Sequence, residues 1–305
     1  MHNKMQLLFE KALRLPPIPA GIICPESGEA MLGIKLAYEQ KSIVPFLFGD
    51  LALMEKIARE VDVNLGNFSC FDLSEKEALS QAIAMTRAGE LKALMKGSLH
   101  TDEFMGAIVS ADSGLRAGRR MSHCMLVDVP LYKKLFVLTD AALNIKPGVK
   151  EKKDIIQNAI DLSLAIGVAK PKIAILSAVE TVNQNMQSTL DAQKLVEMAR
   201  EGQFIGGIVE GPLSFDLAIS EKSAEIKKIK SEVAGDADIL IVPDLDSGNI
   251  LSKALDYFAD AYSFGLVLGA KVPAILVSRA ASADNRAGSC MLAKLYMEQS
   301  ACKLF

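Results

Sequence analysis

A serine and an arginine side by side are the residues best placed to do chemistry. Ser278-Arg279 close the apolar run AILVSR and precede a helix-like stretch. A hydroxyl and a guanidinium at the carboxyl end of a strand can meet an oxyanion. The planar fork of arginine fits phosphate through paired parallel bonds. The plainer alternative is a helix cap beside a surface arginine. A second candidate is PDLDSGN at 243–249, again between a strand-like and a helix-like run. Asp244 and Ser247 can cap that helix. Gly248 can also let the backbone approach a ligand, and a helix N-terminus favours anions, so Asp244, Gly248 and Asn249 are candidates for holding phosphate or a nucleotide-like group. In GLRAGRRMSH, Arg116, Arg119 and Arg120 stand among Gly114 and Gly118. That pattern is either a solvated charge run or an anion pocket. Glu210-Gly211-Pro212-Leu213, with Asp216 beyond it, reads as a rigid turn after a strand. Lys96-Gly97 after KALM is a weaker anion-site candidate, and His100 and His123 read as structural.

These residues need elements to position them. Strand-like runs at 20–24, 44–49, 67–72 and 92–95 alternate with helix-like stretches at 27–40, 50–60, 74–88 and 101–110. Ser27 can cap the first of these, and Ser74 with Glu77 forms a capping box on the third. Runs 121–129 and 134–139 are then separated only by 130–133, which is hairpin spacing and too short for a parallel crossover. The alternation resumes with helix 150–167, strand 172–177, helix 190–200 and strand 206–209. It continues with a helical segment over 216–230, strand 238–242, helix 248–259, strands 265–268 and 274–278, and a last helix over 284–297. This is an α/β chain with mostly parallel sheets and helices on both faces. The hairpin marks the end of one α/β unit, and a second begins near Asp140. Ligands of such sheets bind beyond the carboxyl ends of the strands.

Composition narrows the function classes. The 305 residues are 50% hydrophobic and 23% charged, with Lys+Arg 34 against Asp+Glu 37 and a net charge of −3. Disorder is excluded, and a broad nucleic-acid surface is disfavoured, as are base-stacking platforms in a chain without Trp. No apolar run reaches the ~18 residues of a membrane helix. The N-terminus lacks a secretory apolar core and cleavage site, which predicts a cytoplasmic protein. Cysteines 24, 70, 124, 290 and 302 form no C-x-x-C and read as reduced thiols. The three histidines show no ligand spacing, so a built transition-metal site is not expected. No G-x-G-x-x-G, H-E-x-x-H or G-x-S-x-G occurs, and Gly28-x4-Gly33 runs into Ile34-Lys35 and misses the P-loop pattern.

An ordered set of segments resembles the phosphate acyltransferases (phosphate acetyl/butyryltransferases), and among them the phosphate butyryltransferase branch. It comprises SGLRAGRRMSH (113–123), FVLTDAALNIKP (136–147), IIQNAIDLSLAIGV (155–168) and KIAILSAVETVN (172–183). EGPLSFDLAIS (210–220), AGDADILIVPDLDSGNILSKAL (234–255) and LGAKVPAILVSRAAS (268–282) follow. The likeness is nearly continuous from about Lys96 to Ala283.

The resemblance implies two α/β/α domains with a cleft between them, as in the isocitrate and isopropylmalate dehydrogenases. Domain I would be 1–137 plus 267–305, carrying the Ser-Arg pair, and domain II 138–266, forming the cleft wall and oligomer contacts. The implied reaction is acyl-CoA + phosphate ⇌ acyl phosphate + CoA, on a butyryl or other short acyl group, with acetyl as the alternative. No metal or redox cofactor is implied, coenzyme A being a substrate, and a homodimer or higher homo-oligomer is. Ser278 would hydrogen-bond the reacting carbonyl, and Arg279 would hold the phosphoryl group. One of Arg116 or Arg119 would be a second anion-holding arginine. Acetyl-type members place an acid six positions after the arginine, where this chain has Asn285. Asp284, one position earlier, either supplies that carboxylate from a shifted turn or caps the last helix. The common SRAD reads SRAA here, and the Asp before GPL is Glu210. Two other readings remain: a non-catalytic CoA- or effector-binding module, and a decarboxylating dehydrogenase of the same fold. The second lacks the expected metal and nicotinamide signatures.

Overall fold

The computed structural model describes residues 2–277 and 281–302. In chain order the elements are α1 (Asn3–Ala12), β1 (Ile18–Ile23), α2 (Gly28–Glu39), β2 (Ile43–Gly49), α3 (Leu51–Glu60), β3 (Ser69–Asp72), α4 (Glu75–Arg87), β4 (Ala93–Lys96) and α5 (Thr101–Val109). Then follow β5 (Ser122–Asp128), β6 (Phe136–Thr139), α6 (Val149–Ala165), β7 (Lys172–Leu176), α7 (Gln187–Arg200), β8 (Ile208–Leu213), α8 (Phe215–Ile219) and α9 (Glu221–Ile226). The chain closes with β9 (Ile239–Ile241), α10 (Leu245–Phe258), β10 (Tyr262–Leu268), β11 (Ala274–Ile275) and α11 (Ala283–Cys302).

Two compact units form, and both are discontinuous. One comprises Leu7–Arg119 and the chain from Phe264 on; the other comprises the residues through Gln6 and Arg120–Ser263. We call them the N-unit and the M-unit. A boundary at 137/138 would cut the β5–β6 hairpin, in which Met125, Leu126 and Val127 pair antiparallel with Leu138, Val137 and Phe136. Because β6 continues into parallel pairing with β9, the hairpin stays with the M-unit.

In the N-unit the strand order is β3-β2-β1-β4-β11-β10. The pairs β1–β2, β2–β3, β1–β4 and β4–β11 are parallel, and β10–β11 is antiparallel. Successive strands β1, β2 and β3 run outward on one side, and β4 returns to the other side of β1. This reversal is the kind of switch point at whose carboxyl edge α/β sheets bind ligands. Helix starts at that edge follow the capping signals. The hydroxyl of Ser27 accepts from Ala30 N, the carboxylate of Asp50 accepts from Leu53 N, and Ser74 with Glu77 makes the box. On α2, Gly33 leaves no room for a side chain because a Cβ there would lie 2.7 Å from Arg286 Cβ on α11.

In the M-unit the order is β5-β6-β9-β7-β8, with β6, β9, β7 and β8 mutually parallel. Its core joins Val127, Phe136, Leu138, Ala174, Leu213 and Leu240. Two local readings change. The segment 216–230 is not one helix: Ser220 ends α8 and caps α9, its hydroxyl accepting from Ser223 N. The Gly-Pro at 211–212 is not a turn after a strand but lies inside β8. Gly211 is needed there because a Cβ would sit 2.8 Å from Ile175 Cβ and 2.9 Å from Ile175 O on β7. Glu210 accepts hydrogen bonds from Ser231 Oγ and Glu232 N and thereby anchors the following loop.

Candidate functional site

The N-unit carboxyl edge gathers the ends of β1, β4 and β11. Cys24, just past β1, has a left-handed backbone (φ 52), and its carbonyl accepts from Ser98 N at 2.7 Å. Gly97 is required at this crossing, since a Cβ would lie 2.0 Å from the Cys24 carbonyl oxygen. Lys96, the last residue of β4 and opposite Ile23 of β1, is 3% exposed. Its ammonium donates to Gly97 O at 3.1 Å and Leu99 O at 2.9 Å, which fixes the loop leaving the strand. Burial, with the charges of Glu26 and Glu75 behind it, pushes the Cys24 thiol up to about 12. It therefore stays protonated at neutral pH and is no nucleophile. Burial and the nearby Glu75 and Asp50 charges also raise Glu26 above the usual carboxylate range.

Because β11 runs parallel to β4, with Ala274 opposite Leu94 and Ile275 opposite Met95, the chain leaves β11 at this same edge. Ser278 and Arg279 follow, and they lie outside the described residues. The description resumes before α11. There the Ser282 hydroxyl accepts from Asn285 N at 3.3 Å and donates to Asn285 Oδ1 at 2.8 Å, and the Ser282 carbonyl accepts from Arg286 N. Ser282 is therefore the cap, and Asn285 answers it from the third helical position. Asp284 stands in the first turn, exposed, and does not cap the helix. Arg286 packs inward at 3% exposure.

The arginine-rich loop divides between the units. Arg116 and Arg119 belong to the N-unit and Arg120 to the M-unit. Arg116 bridges to Ala270 through its backbone and donates from Nε to Val109 O at 2.6 Å, with the residue exposed. Arg119 is exposed. Arg120 donates its backbone N–H to Asp154 Oδ2 and its Nε to Asn144 Oδ1, both at 2.8 Å.

Asp244, Gly248 and Asn249 come together in the M-unit, at the carboxyl ends of β9 and β6. Asp244 caps α10: its Oδ1 accepts from Ser247 N at 2.9 Å and from Ser247 Oγ at 2.6 Å. These bonds, and behind them the charges of Lys152 and Lys146, hold its carboxyl below the usual carboxylate range. Gly248 packs closely on its own unit: a Cβ there would lie 2.8 Å from Val242 Cγ2, 2.9 Å from Asp140 O and 3.0 Å from Ala141 Cα. Asn249 donates from Nδ2 to Ala141 O at 3.3 Å. Their common support is Asp140, which the sequence reading passed over. It is 3% exposed, and its carboxylate accepts from Ala142 N, Leu143 N, Asn144 N and Asn144 Nδ2. The signal was the spacing of Asp140 and Asn144 directly after FVLT. His123 lies nearby and is fully enclosed, and burial lowers its pKa against the opposing pull of Asp140. A neutral, enclosed imidazole fits the structural reading.

Among the described residues no group of three or more His, Cys, Asp or Glu side chains could hold a metal ion. No helix among them is long and apolar enough to cross a membrane.

A family profile described as phosphate acetyl/butaryl transferase matches residues 72–293. The chain belongs to this family. Among curated relatives of these acyltransferases, a phosphate acetyltransferase of Rickettsia typhi is 45% identical over 97% of this chain and 86% of its own. A phosphate butyryltransferase of Clostridium beijerinckii is 34% identical over 97% of this chain and 98% of its own. Among solved structures of acyltransferases, a branched-chain phosphotransacylase from Enterococcus faecalis V583 superposes with a TM-score of 0.82. It is 29% identical and covers 92% of this chain and 99% of that one.

Proposed function

We propose that this phosphate acyltransferase interconverts short-chain acyl-CoA and phosphate with acyl phosphate and CoA, butyryl or a similar short acyl being the group moved. The family match over 72–293 carries this reading. The residues act as follows. In the direction of acyl-CoA synthesis, a carboxylate takes the thiol proton of CoA, and the thiolate attacks the acyl carbon. The bond from that carbon to the phosphate oxygen breaks, and phosphate leaves with the electron pair. Asp284 is the carboxylate: it is exposed in the first turn of α11, and Ser282 has taken the capping role from it. Ser278 donates to the reacting carbonyl and its oxyanion, and Arg279 holds the phosphoryl oxygens and the leaving charge. Arg116 or Arg119 gives a second contact to the anion. Asp244, Gly248 and Asn249, gathered at the start of α10, contribute to holding phosphate or CoA.

Acetyl transfer is the second reading, favoured by the higher identity to an acetyl-named relative, 45% against 34%. One experiment tests both: thiol release from acetyl-, propionyl- and butyryl-CoA, with and without phosphate. Phosphate-dependent release ranks the acyl lengths. Tight CoA binding without release would make the chain a binding module and sink the enzyme reading. We further propose that no metal takes part. Activity should survive exhaustive chelation, and loss on chelation restored by a divalent ion would overturn that expectation.

A further inference from the structure

Arg120 is held more firmly than an exposed arginine needs to be. It precedes β5, and because β5 runs antiparallel to β6, it lies at the edge where β6 ends. Its backbone is fixed by α6 from both sides. The N–H donates to Asp154 Oδ2 at 2.8 Å, and the carbonyl accepts from Asn158 Nδ2 at 3.0 Å. Its side chain is fixed by the loop after β6, with Nε donating to Asn144 Oδ1 at 2.8 Å. Asn144 cannot turn away. Its Nδ2 donates to Met121 O at 2.9 Å and to Asp140 Oδ2 at 2.6 Å, so its oxygen must face Arg120. Asp140 is seated in turn by the N–H groups of Ala142, Leu143 and Asn144. Freezing a long side chain costs conformational entropy, and no opposite charge offsets that cost here. The partner of Nε is a neutral amide. Among the described residues no carboxylate pairs with the guanidinium, and no acceptor meets its two outer nitrogens. The positive charge is left uncompensated, and the free fork is presented in a set direction.

The place also suits a ligand. Strands β6 and β9 are parallel neighbours. The first leads into α6, which packs on β5 and β6. The second leads into α10, whose Leu251 and Leu255 pack on the cluster of Leu138 and Leu240. No residue of α6 belongs to that cluster, so the two helices leave toward opposite faces of the sheet. Adjacent carboxyl ends with diverging connections form a switch point of the kind that binds ligands. We propose that Arg120 takes a phosphate group of a substrate at this edge of the M-unit, and that Asn144, held by Asp140, is its positioning residue. A fixed fork accepts two phosphate oxygens through parallel bonds. The inference rests on the acyltransferase reading and adds an anion contact to it, separate from Arg116 and Arg119 of the N-unit. Inorganic phosphate and the phosphate groups of CoA share this chemistry, and the test separates them.

Two measurements on the full chain test it: initial rates at varied phosphate, and calorimetric titration with CoA, which needs no turnover. Arg120→Ala should raise KM for phosphate or Kd for CoA by ~10-fold or more, with the melting temperature nearly unchanged. A rise with phosphate assigns Arg120 to the transferred group, and a rise with CoA assigns it to the phosphates of CoA. Arg120→Lys keeps the charge without the fork and should recover little. Guanidinium added below denaturing concentration should restore part of the affinity of Arg120→Ala, a response that loss of a merely structural residue does not give. Asn144→Ala should raise the same constant, yet add little in the Arg120→Ala background, since it acts through Arg120. Full additivity there would overturn the positioning role. Unchanged constants for both ligands in Arg120→Ala overturn the proposal, as does a loss that guanidinium leaves untouched. Should that variant fold poorly, Arg120→Gln, which keeps a donor for Asn144 without the charge, takes its place. A wild type that binds CoA without phosphate-dependent turnover overturns the reaction reading alone, and the CoA titration still decides on Arg120.

Discussion

Asp244 and Asp284 have similar addresses. Each follows a sheet strand at its carboxyl edge and opens a long helix, α10 in one unit and α11 in the other. Their surroundings differ. Asp244 is the cap itself, with Ser247 returning its hydrogen bonds from three positions on. At α11 that reciprocal pair is Ser282 with Asn285, and Asp284 sits between them, exposed. The difference teaches that a carboxylate at a helix start is available for chemistry only when another residue satisfies the orphan N–H groups. Composition makes the two segments look alike; the identity of the capping partner separates them.

The largest expected effect tests the available carboxylate. Asp284→Asn should lower kcat by ~10²–10⁴ with little change in KM, as loss of a general base does, and without moving the melting temperature. Wild-type kcat in that variant would return Asp284 to a passive place and erase the contrast. Next is Arg279, whose guanidinium we assign to phosphate. Arg279→Ala should cost ~10² or more in kcat/KM for phosphate, about 3 kcal/mol, the scale of a lost charge-assisted contact. Arg279→Lys should also be clearly impaired, since an ammonium lacks the fork. Near-normal kinetics of the Ala variant with varied phosphate would remove Arg279 from the site.

The Asp244 side of the comparison should answer in stability. Gly248→Ala pushes a methyl group into Asp140 O and Ala141 Cα, which are backbone and cannot swing away. The expected loss is about 1–3 kcal/mol of folding free energy, read by urea denaturation. An unchanged midpoint would show the loop yielding. The smallest effect is Asp244→Ala, worth about 1 kcal/mol for the lost cap. Its sign with pH is fixed, because the folded carboxyl is held below its unfolded value. The stabilisation is present above about pH 4 and disappears as pH falls through the depressed folded pKa. Wild type and Asp244→Ala should therefore converge in strong acid. A gap that persists there would mean the side chain acts by packing.

Much of the architecture was legible because its signals are local. Ser27 and the Ser74–Glu77 box start helices where their side chains predict, and the four-residue gap after Val129 marks the hairpin. The misreadings were non-local. Gly211-Pro212 has turn composition, but it lies inside β8 at a shift of register against β7, where Ile175 leaves no room for a side chain at 211. A helical period runs through 216–230, but Ser220 caps from within and splits it. At the candidate site, residue types were readable and allegiances were not. Gly248 is readable as a small residue at a helix start, but the Asp140 carbonyl packed against it is a non-local neighbour, and Asp140 itself is signalled only by its spacing to Asn144 after FVLT. Arg116, Arg119 and Arg120 are neighbours in sequence, yet the boundary between the units passes after Arg119.

The discontinuity of both units has a consequence during synthesis on the ribosome. Strands β1 to β4 emerge early, but their sheet lacks β11 against β4, and Gly33 of α2 waits for Arg286 on α11. Those partners are translated only after the whole M-unit segment 120–263. In the M-unit, the fully buried carboxylate of Asp128 takes its ion pair from Lys4 and a hydrogen bond from Met5 N, so Lys4 and Met5 wait for β5, which is translated after most of the N-unit. Neither unit can close its core in N-to-C order, and the nascent chain carries open strand edges through most of its elongation. A chain cut before β11 would leave β4 without its neighbour and α2 without α11.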